Sequence, residues 1–219
     1  LEKLLQKRQK ESEKIWEKEG EKLLSVLTSA GSEGQSSMLP CAEDLGAVPG
    51  CVPRVLAKLD ILGLRVIRWF REWDKKGQPY VPFEEYPSQS VCTASVHDSS
   101  TLREWWDTEA DQDLFAGFIG FPSLPRVYNP GTAKIILKHA AAAASCFRVF
   151  QIQDLLHLSQ KWYAADPASE RINVPGTANE FNWTYRLPAD IETLRGDGEL
   201  IQGVKELAAV KMLTKKEKG

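Results

Sequence analysis

The stretch LPCAEDLG, residues 39–46, decides how the chain is read: an apolar run stops at two adjacent carboxylates, Glu43 and Asp44, and a glycine follows. SMLPCAED, over 37–44, reads as a buried strand, and the acid pair sits at its C-terminal end. Outward from it the same rhythm returns. A helix is expected over VPRVLAKLDIL (52–62), with Pro53 near its first turn and Gly63 closing it. LRVIRWF (64–70), rich in β-formers, follows as a second strand, and SVCTASVHD (90–98) as a third. Thr101 and Glu104 have capping-box spacing ahead of a helix containing Trp105 and Trp106. TAKIILKHAAAAAS (132–145) reads as a helix, and CFRVFQIQDLL (146–156) as a fourth strand running into a short helix.

Alternating strands and helices, with the strands nearly continuous in apolar residues, specify a parallel sheet covered by helices. Polar residues gather at the strand ends: Glu43 and Asp44 after the first, His97 and Asp98 after the third, Gln153 and Asp154 after the fourth. A (β/α)8 barrel and a doubly wound sheet both keep their sites there. Neither G-x-G-x-x-G nor G-x-x-x-x-G-K-[ST] occurs, which removes the phosphate loop a doubly wound sheet would use and leaves the barrel. Closure needs eight strands, and the count is about four βα units, so part of a barrel is expected. The chain also starts at Leu1, in what reads as the middle of a helix.

That helix, over residues 1–30, is rich in Lys and Glu. Its apolar residues Leu1, Leu4, Leu5, Ile15, Trp16, Leu23, Leu24 and Leu27 fall roughly on one face, and KRQKESEK reads as its solvated side. GSEGQS (31–36) reads as a loop. The barrel portion is expected over 37–195, with a C-terminal helix and basic tail over 196–219.

Of the 219 residues, 42% are hydrophobic and 26% charged, and the net charge is −2. This balance suits a soluble domain with a sizeable core. It carries no basic stripe for nucleic acid. HAAAAASCF (139–147) is too short and too weakly apolar for a membrane span. Cys41, Cys51, Cys92 and Cys146 match no zinc spacing. Cys41 and Cys92 fall inside strand-like runs, where a thiol behaves as a small buried hydrophobe. Reduced thiols and a cytoplasmic setting are expected.

Two carboxylates facing one cleft are the equipment of glycoside chemistry: one is protonated to help the leaving oxygen depart, the other attacks or stabilises positive charge. Glu43 and Asp98 could share such a cleft. Trp69, ending the second strand, and Tyr80, Phe83 and Tyr86 in the loop beyond it could cover sugar faces. Trp105 and Trp106 read as core. Asp44 reads as a helix cap or an acceptor for backbone N–H groups. His97 is open between a hydrogen-bonded core histidine and a site residue, whereas His139 and His157 read as structural. No Ser-His-Asp set appears, and no metal or cofactor is called for.

MLPCAEDLG (38–46), SVHDSSTLREWW (95–106), IQDLL (152–156) and RINVPGTANEFNWTYRL (171–187) resemble, in order, the 4-α-glucanotransferases of glycoside hydrolase family 77. PCAEDLGAVPGCVP with SVCTASVHD is closer to the plant-cytosolic and long-chain bacterial branch. The resemblance implies the C-terminal half, about strands 5 to 8, of a (β/α)8 barrel. It also implies transfer of α-1,4-glucan segments between maltooligosaccharide donors and acceptors through a covalent glucosyl intermediate. It makes Glu43 the general acid/base and Asp98 the transition-state-stabilising carboxylate. His97 and Asn173 become hydroxyl-binding neighbours, and Trp69 an aromatic near the acceptor, on looser wording. The family's nucleophile lies in an Arg-x-Asp-His motif that does not occur in these residues, and the resemblance puts it upstream with the missing half of the barrel. The isolated chain is therefore expected to be inactive and poorly soluble. An α-glucan hydrolase and a non-catalytic α-glucan-binding protein are the alternatives.

Overall fold

The computed structural model describes residues 2–32, 38–46 and 48–214. In chain order the elements are α1 (Glu2–Ser32), β1 (Cys41–Ala42), α2 (Cys51–Lys58), β2 (Leu62–Val66), β3 (Ser90–Thr93), α3 (Leu102–Thr108), α4 (Gln112–Phe118), α5 (Pro130–Ala141), β4 (Phe147–Arg148), α6 (Ile152–Leu156), α7 (Ile191–Arg195) and α8 (Gly198–Ala208). The four strands form one sheet in the order β1-β2-β3-β4. β1 and β2 are parallel, with Cys41 opposite Leu62 and Ala42 opposite Gly63. Strands that neighbour one another in sequence order, with helices in the connections, give the expected α/β layout.

All four strands are shorter than the sequence suggests, because each apolar run bends away before it ends. β1 is two residues long, and Cys41 is exposed rather than buried. β2 starts at Leu62 and stops at Val66, so Gly63 lies inside the strand instead of closing the preceding helix. That helix ends at Lys58, and Asp60 takes a left-handed conformation (φ 53°) that turns the chain into the strand. Residues 67–69 are a turn, and 94–98 have left the third strand. β4 keeps only Phe147 and Arg148.

The chain divides into two compact units. The first comprises Leu1–Arg65, Pro87–Val91 and Ser145–Phe147. In it α1 and α2 pack together, joined by Arg54–Glu17 at 2.9 Å and Lys58–Glu21 at 2.7 Å. Cys51, Val55 and Leu56 of α2 are buried. The α1 stripe is not covered: Ile15, Trp16, Leu23 and Leu27 are all exposed. Gly31 and Ser32, expected in a loop, are still helical, and residues 33–36 lie outside the described residues, as do Leu1, Ser37 and the basic tail over 215–219. The side chains of Leu4 and Leu5 lie outside them too.

The second unit comprises Val66–Tyr86, Cys92–Ala144 and Arg148–Gly219, and holds the main core. Trp105 and Trp106 are buried in it, as their spacing suggests, and so is Cys92. Phe115 is the hub, edge-on to Tyr80 at 5.1 Å and to Trp105 at 5.0 Å. Tyr80, Phe83 and Tyr86 correct the sugar-site expectation: they are buried core residues. The loop that carries them folds inward through an antiparallel bridge between Arg71 and Tyr80 and a 3₁₀ turn at Phe83–Glu85. Burying three rings outweighs leaving them on a surface, at about 1.5–3 kcal/mol for a large apolar side chain. Helix starts follow their capping residues: the Thr101 hydroxyl accepts from Glu104 N, and the Asn129 amide oxygen from Thr132 N, with Pro130 in the first turn. α4, capped by Asp111, is an element the sequence reading passed over as loop.

Candidate active site

The chain beyond β3 folds into a turn that displays His97 and Asp98. The Ser99 hydroxyl accepts from Val96 N at 3.0 Å, and Ser99 N donates back to Val96 O at 3.0 Å, so one serine closes the turn in both directions. Beneath it Arg68, buried, donates to Ser95 Oγ at 2.9 Å and Ser100 Oγ at 2.6 Å. The guanidinium thus holds both ends of the segment carrying His97 and Asp98. Its pKa is pushed down to about 10 by burial, with the nearby Asp154 charge acting in opposition. Nothing in RVIRWF marked this arginine, since its role depends on where the chain bends after Val66.

Asp98 is bound on both oxygens. Asn173 Nδ2 donates to Oδ1 at 2.6 Å, and His97 Nε2 lies 3.2 Å from Oδ2. Asn173 N also donates to His97 O at 3.2 Å, so this residue ties down both members of the turn. His97 and Asp98 keep 46% and 40% of their side-chain surface, which resolves His97 as an accessible residue rather than a core histidine. Trp183 completes the cluster, its ring 5.1 Å from the His97 ring. Its backbone is left-handed (φ 65°), a costly conformation for a bulky residue, held by Trp183 N donating to Ile172 O at 2.7 Å. Asn182 staples the same loop, accepting from Val174 N at 3.1 Å and donating to Thr177 O at 3.0 Å. Trp183 was visible only as part of an Asn-Trp pair; a left-handed tryptophan leaves no periodic signature.

Buried pairs fix the segment that delivers Asn173. Arg171 grips Glu104 with two hydrogen bonds of 2.7 and 2.9 Å. Glu104 therefore spends its carboxylate on a distant arginine instead of completing a capping box. Glu170 receives Ala164 N at 3.0 Å and pairs with His157 at 2.9 Å, and Gln153 Nε2 donates to the Glu170 carbonyl at 3.1 Å. Gln153 and Asp154, expected at a strand end facing the cleft, lie instead on α6 and are buried. Asp154 accepts from Leu102 N at 2.8 Å; burial raises its pKa, and that backbone bond opposes the rise. His157 is structural, and His139 packs between Phe83 and Phe121 with its pKa lowered by burial.

In the first unit the two carboxylates of AED divide. Asp44 accepts Leu64 N at 2.8 Å and pairs with Arg65 at 2.8 and 2.9 Å, so it holds β2 by its backbone, as one of its two readings had it. Gly63 is required beside them: a Cβ there would lie 2.8 Å from Asp44 Oδ2 and 2.7 Å from Arg65 Nη2. Glu43, next along, is exposed. Trp69, in the second unit, lies in the turn after β2, 38% exposed, and its carbonyl accepts from the Trp73 indole at 3.1 Å. Among the described residues no three His, Cys, Asp or Glu side chains form a metal-binding group, and no helix is long and apolar enough to cross a membrane.

A family model described as 4-alpha-glucanotransferase matches residues 3–192. A 4-alpha-glucanotransferase of Chlamydia muridarum is 41% identical over 184 residues, covering 83% of this chain and 33% of that protein. The 4-alpha-glucanotransferase DPE2 of Oryza sativa subsp. japonica is 32% identical over 201 residues, covering 89% of this chain and 20% of that protein. The chain thus spans about a third or less of the length of these relatives. Among solved structures, an amylomaltase from Streptococcus agalactiae in complex with acarbose superposes with a TM-score of 0.58 at 20% identity, over 78% of this chain and 31% of that one. That likeness supports the fold.

Proposed function

Because the chain belongs to the glycoside hydrolase 77 family of 4-alpha-glucanotransferases, we propose that it contributes the acid/base and stabilising half of an active site that moves α-1,4-glucan segments between maltooligosaccharides. It would do so as about strands 5 to 8 of a (β/α)8 barrel in the cytoplasm. The observation that carries this reading is the Asp98 carboxylate, held by Asn173 and His97 and left open to solvent, with the Trp183 indole against the His97 ring.

Each residue has a task set by its chemistry. Glu43 protonates the glycosidic oxygen as it leaves, then takes the proton from the 4-hydroxyl of the incoming sugar. The nucleophile in this scheme is an aspartate outside these residues; its displacement of the leaving glucan makes the glucosyl ester that the acceptor later breaks. Asp98, whose Oδ1 accepts from Asn173, stabilises the positive charge that develops at the sugar ring. His97 and Asn173 also bind sugar hydroxyls, Trp183 covers an apolar sugar face, and Trp69 lies toward the acceptor. Transfer over hydrolysis follows if these groups favour a sugar hydroxyl over water.

The test uses the natural protein that contains this chain. Maltotriose should yield longer maltodextrins together with glucose, and Asp98→Asn should lower that rate at least a hundredfold. Release of reducing sugar without chain lengthening would replace transferase with hydrolase, and glucan binding with no turnover at all would leave a binding protein.

A further inference from the structure

The loop that brings Trp183 to His97 has a second side. Phe181 and Thr184, on either side of that tryptophan, line a cavity of about 320 Å³ together with Trp162, Tyr185, Arg186 and Glu170. The volume is at the lower end of the range typical of ligand sites, about 300–1,000 Å³. The walls are fixed before any ligand arrives: the Trp162 indole donates to Asp197 Oδ2 at 2.8 Å, and Glu170 is held by His157 and Ala164 N. The edge keeps donors to spare. One Arg186 nitrogen, Nη1, donates to Thr184 O at 3.2 Å and Tyr185 O at 3.0 Å, while Nε and Nη2 find no acceptor among the described residues. The half-buried Tyr185 hydroxyl has no hydrogen-bond partner among them either. Burial and the Glu170 charge push it up to about 12, so it stays a neutral donor at any physiological pH.

The rings of Phe181 and Tyr185, with unspent hydroxyl and guanidinium donors beside them and Lys161 lying over the Trp162 ring, match a sugar, whose faces are apolar and whose rim is hydroxyl. We propose that this cavity is an accessory binding site for a glucosyl segment of an α-glucan, built on the loop that carries Trp183 to His97. The proposal rests on the glucan reading above and goes beyond it. One loop would then touch the polymer on both faces. Occupancy of the cavity would order the strained Trp183 segment, which would couple capture of long glucans to closure over the reacting sugar.

The experiment is affinity electrophoresis of the natural protein through gels containing soluble starch, comparing wild type with Tyr185→Phe, Tyr185→Ala and Arg186→Ala. Tyr185→Phe keeps the ring, and Arg186 is exposed, so both should fold even if Tyr185→Ala does not. We expect each folded variant to weaken retardation several-fold, and the alanine variants about tenfold, the effect of losing roughly one good contact. Retardation equal to wild type in Tyr185→Phe and Arg186→Ala overturns the site. Tighter binding of glucose 6-phosphate than of maltose, abolished in Arg186→Ala, also overturns it and makes the cavity an anion site. Maltotriose disproportionation by wild type is read separately. Transfer with unchanged starch retardation in the variants sinks the cavity alone; absent transfer with weakened retardation in them sinks the transferase reading and keeps the cavity.

Discussion

Glu43 and Asp44 are adjacent carboxylates with opposite fates, and the difference is readable in their partners. Asp44 has Leu64 N and Arg65, in a pair whose side chains keep only 3% and 11% of their surface. Glu43 is exposed. Removing one member of such a pair leaves the other charge buried, at about 3–5 kcal/mol. Asp44→Ala should therefore lower thermal stability by that amount, and Gly63→Ala should weaken the same pair by intruding on it. Glu43→Gln should leave the unfolding free energy within about 0.5 kcal/mol of wild type while cutting transfer about 10²–10⁴-fold. Melting curves beside maltotriose kinetics separate the two effects; a Glu43→Gln enzyme with near-normal turnover would remove this residue from the acid/base role.

Trp183 makes the converse case, a residue whose backbone is strained for its side chain. Glycine accepts φ near 65° at no steric cost, where an L-residue loses roughly 1–2 kcal/mol. Trp183→Gly should consequently change stability by less than about 1 kcal/mol, since the loss of the indole contact and the added chain freedom offset that relief. Transfer should still fall, through a raised KM for glucan. A drop in stability matching a large core deletion would mean that the ring packs rather than binds.

At the scale of elements, the longer helices were legible, their ends less so, and the short α4 was missed. The caps Thr101 and Asn129 act through chemistry local to four residues, so the sequence carries them. α2 ends where Asp60 turns left-handed, and β2 ends where Arg68 is drawn under the turn at 95–100; both depend on distant partners. Another long-range pairing is testable by pH. Glu206 on α8 reaches Lys138 at 2.7 Å and Lys134 at 3.4 Å on α5. Hydrogen bonds from Lys138 and Gln202 lower its pKa from 4.5 to about 2. A carboxylate depressed in the folded state stabilises above its unfolded pKa and loses that contribution as pH falls through the folded one. The α5–α8 contact should thus weaken between about pH 4.5 and 2. Glu206→Gln should lower the melting temperature slightly at neutral pH and flatten its acid dependence in that window; an unchanged acid slope would show that the pairing is screened in solution.

For the molecule as a whole, the alternation of strand and helix was enough for the α/β class, because that pattern lives in sequence-local apolar runs. The site was only partly legible. His97, Asp98 and Asn173 come together in the fold, although 75 residues separate Asn173 from Asp98. Tyr80, Phe83 and Tyr86 looked like a sugar platform because loop aromatics often are, and only the packing of Tyr80 on Phe115, Phe83 on Phe118 and Tyr86 on Phe83 reveals a core. Trp183 and Arg68 could not be found without the fold.

No Arg-x-Asp-His motif occurs among these 219 residues, and a double displacement without its nucleophile typically loses many orders of magnitude in rate. The purified chain should therefore bind maltodextrin through the Asp98 and Tyr185 sides of its loop, yet lengthen no maltotriose. The natural protein that contains these residues should show transfer, and Glu43→Gln in it should remove that activity. Chain lengthening by the 219 residues alone would place the nucleophile among their own carboxylates. Asp98, the solvent-open carboxylate already aligned by Asn173 and His97, would then be the group to trap as a glucosyl ester.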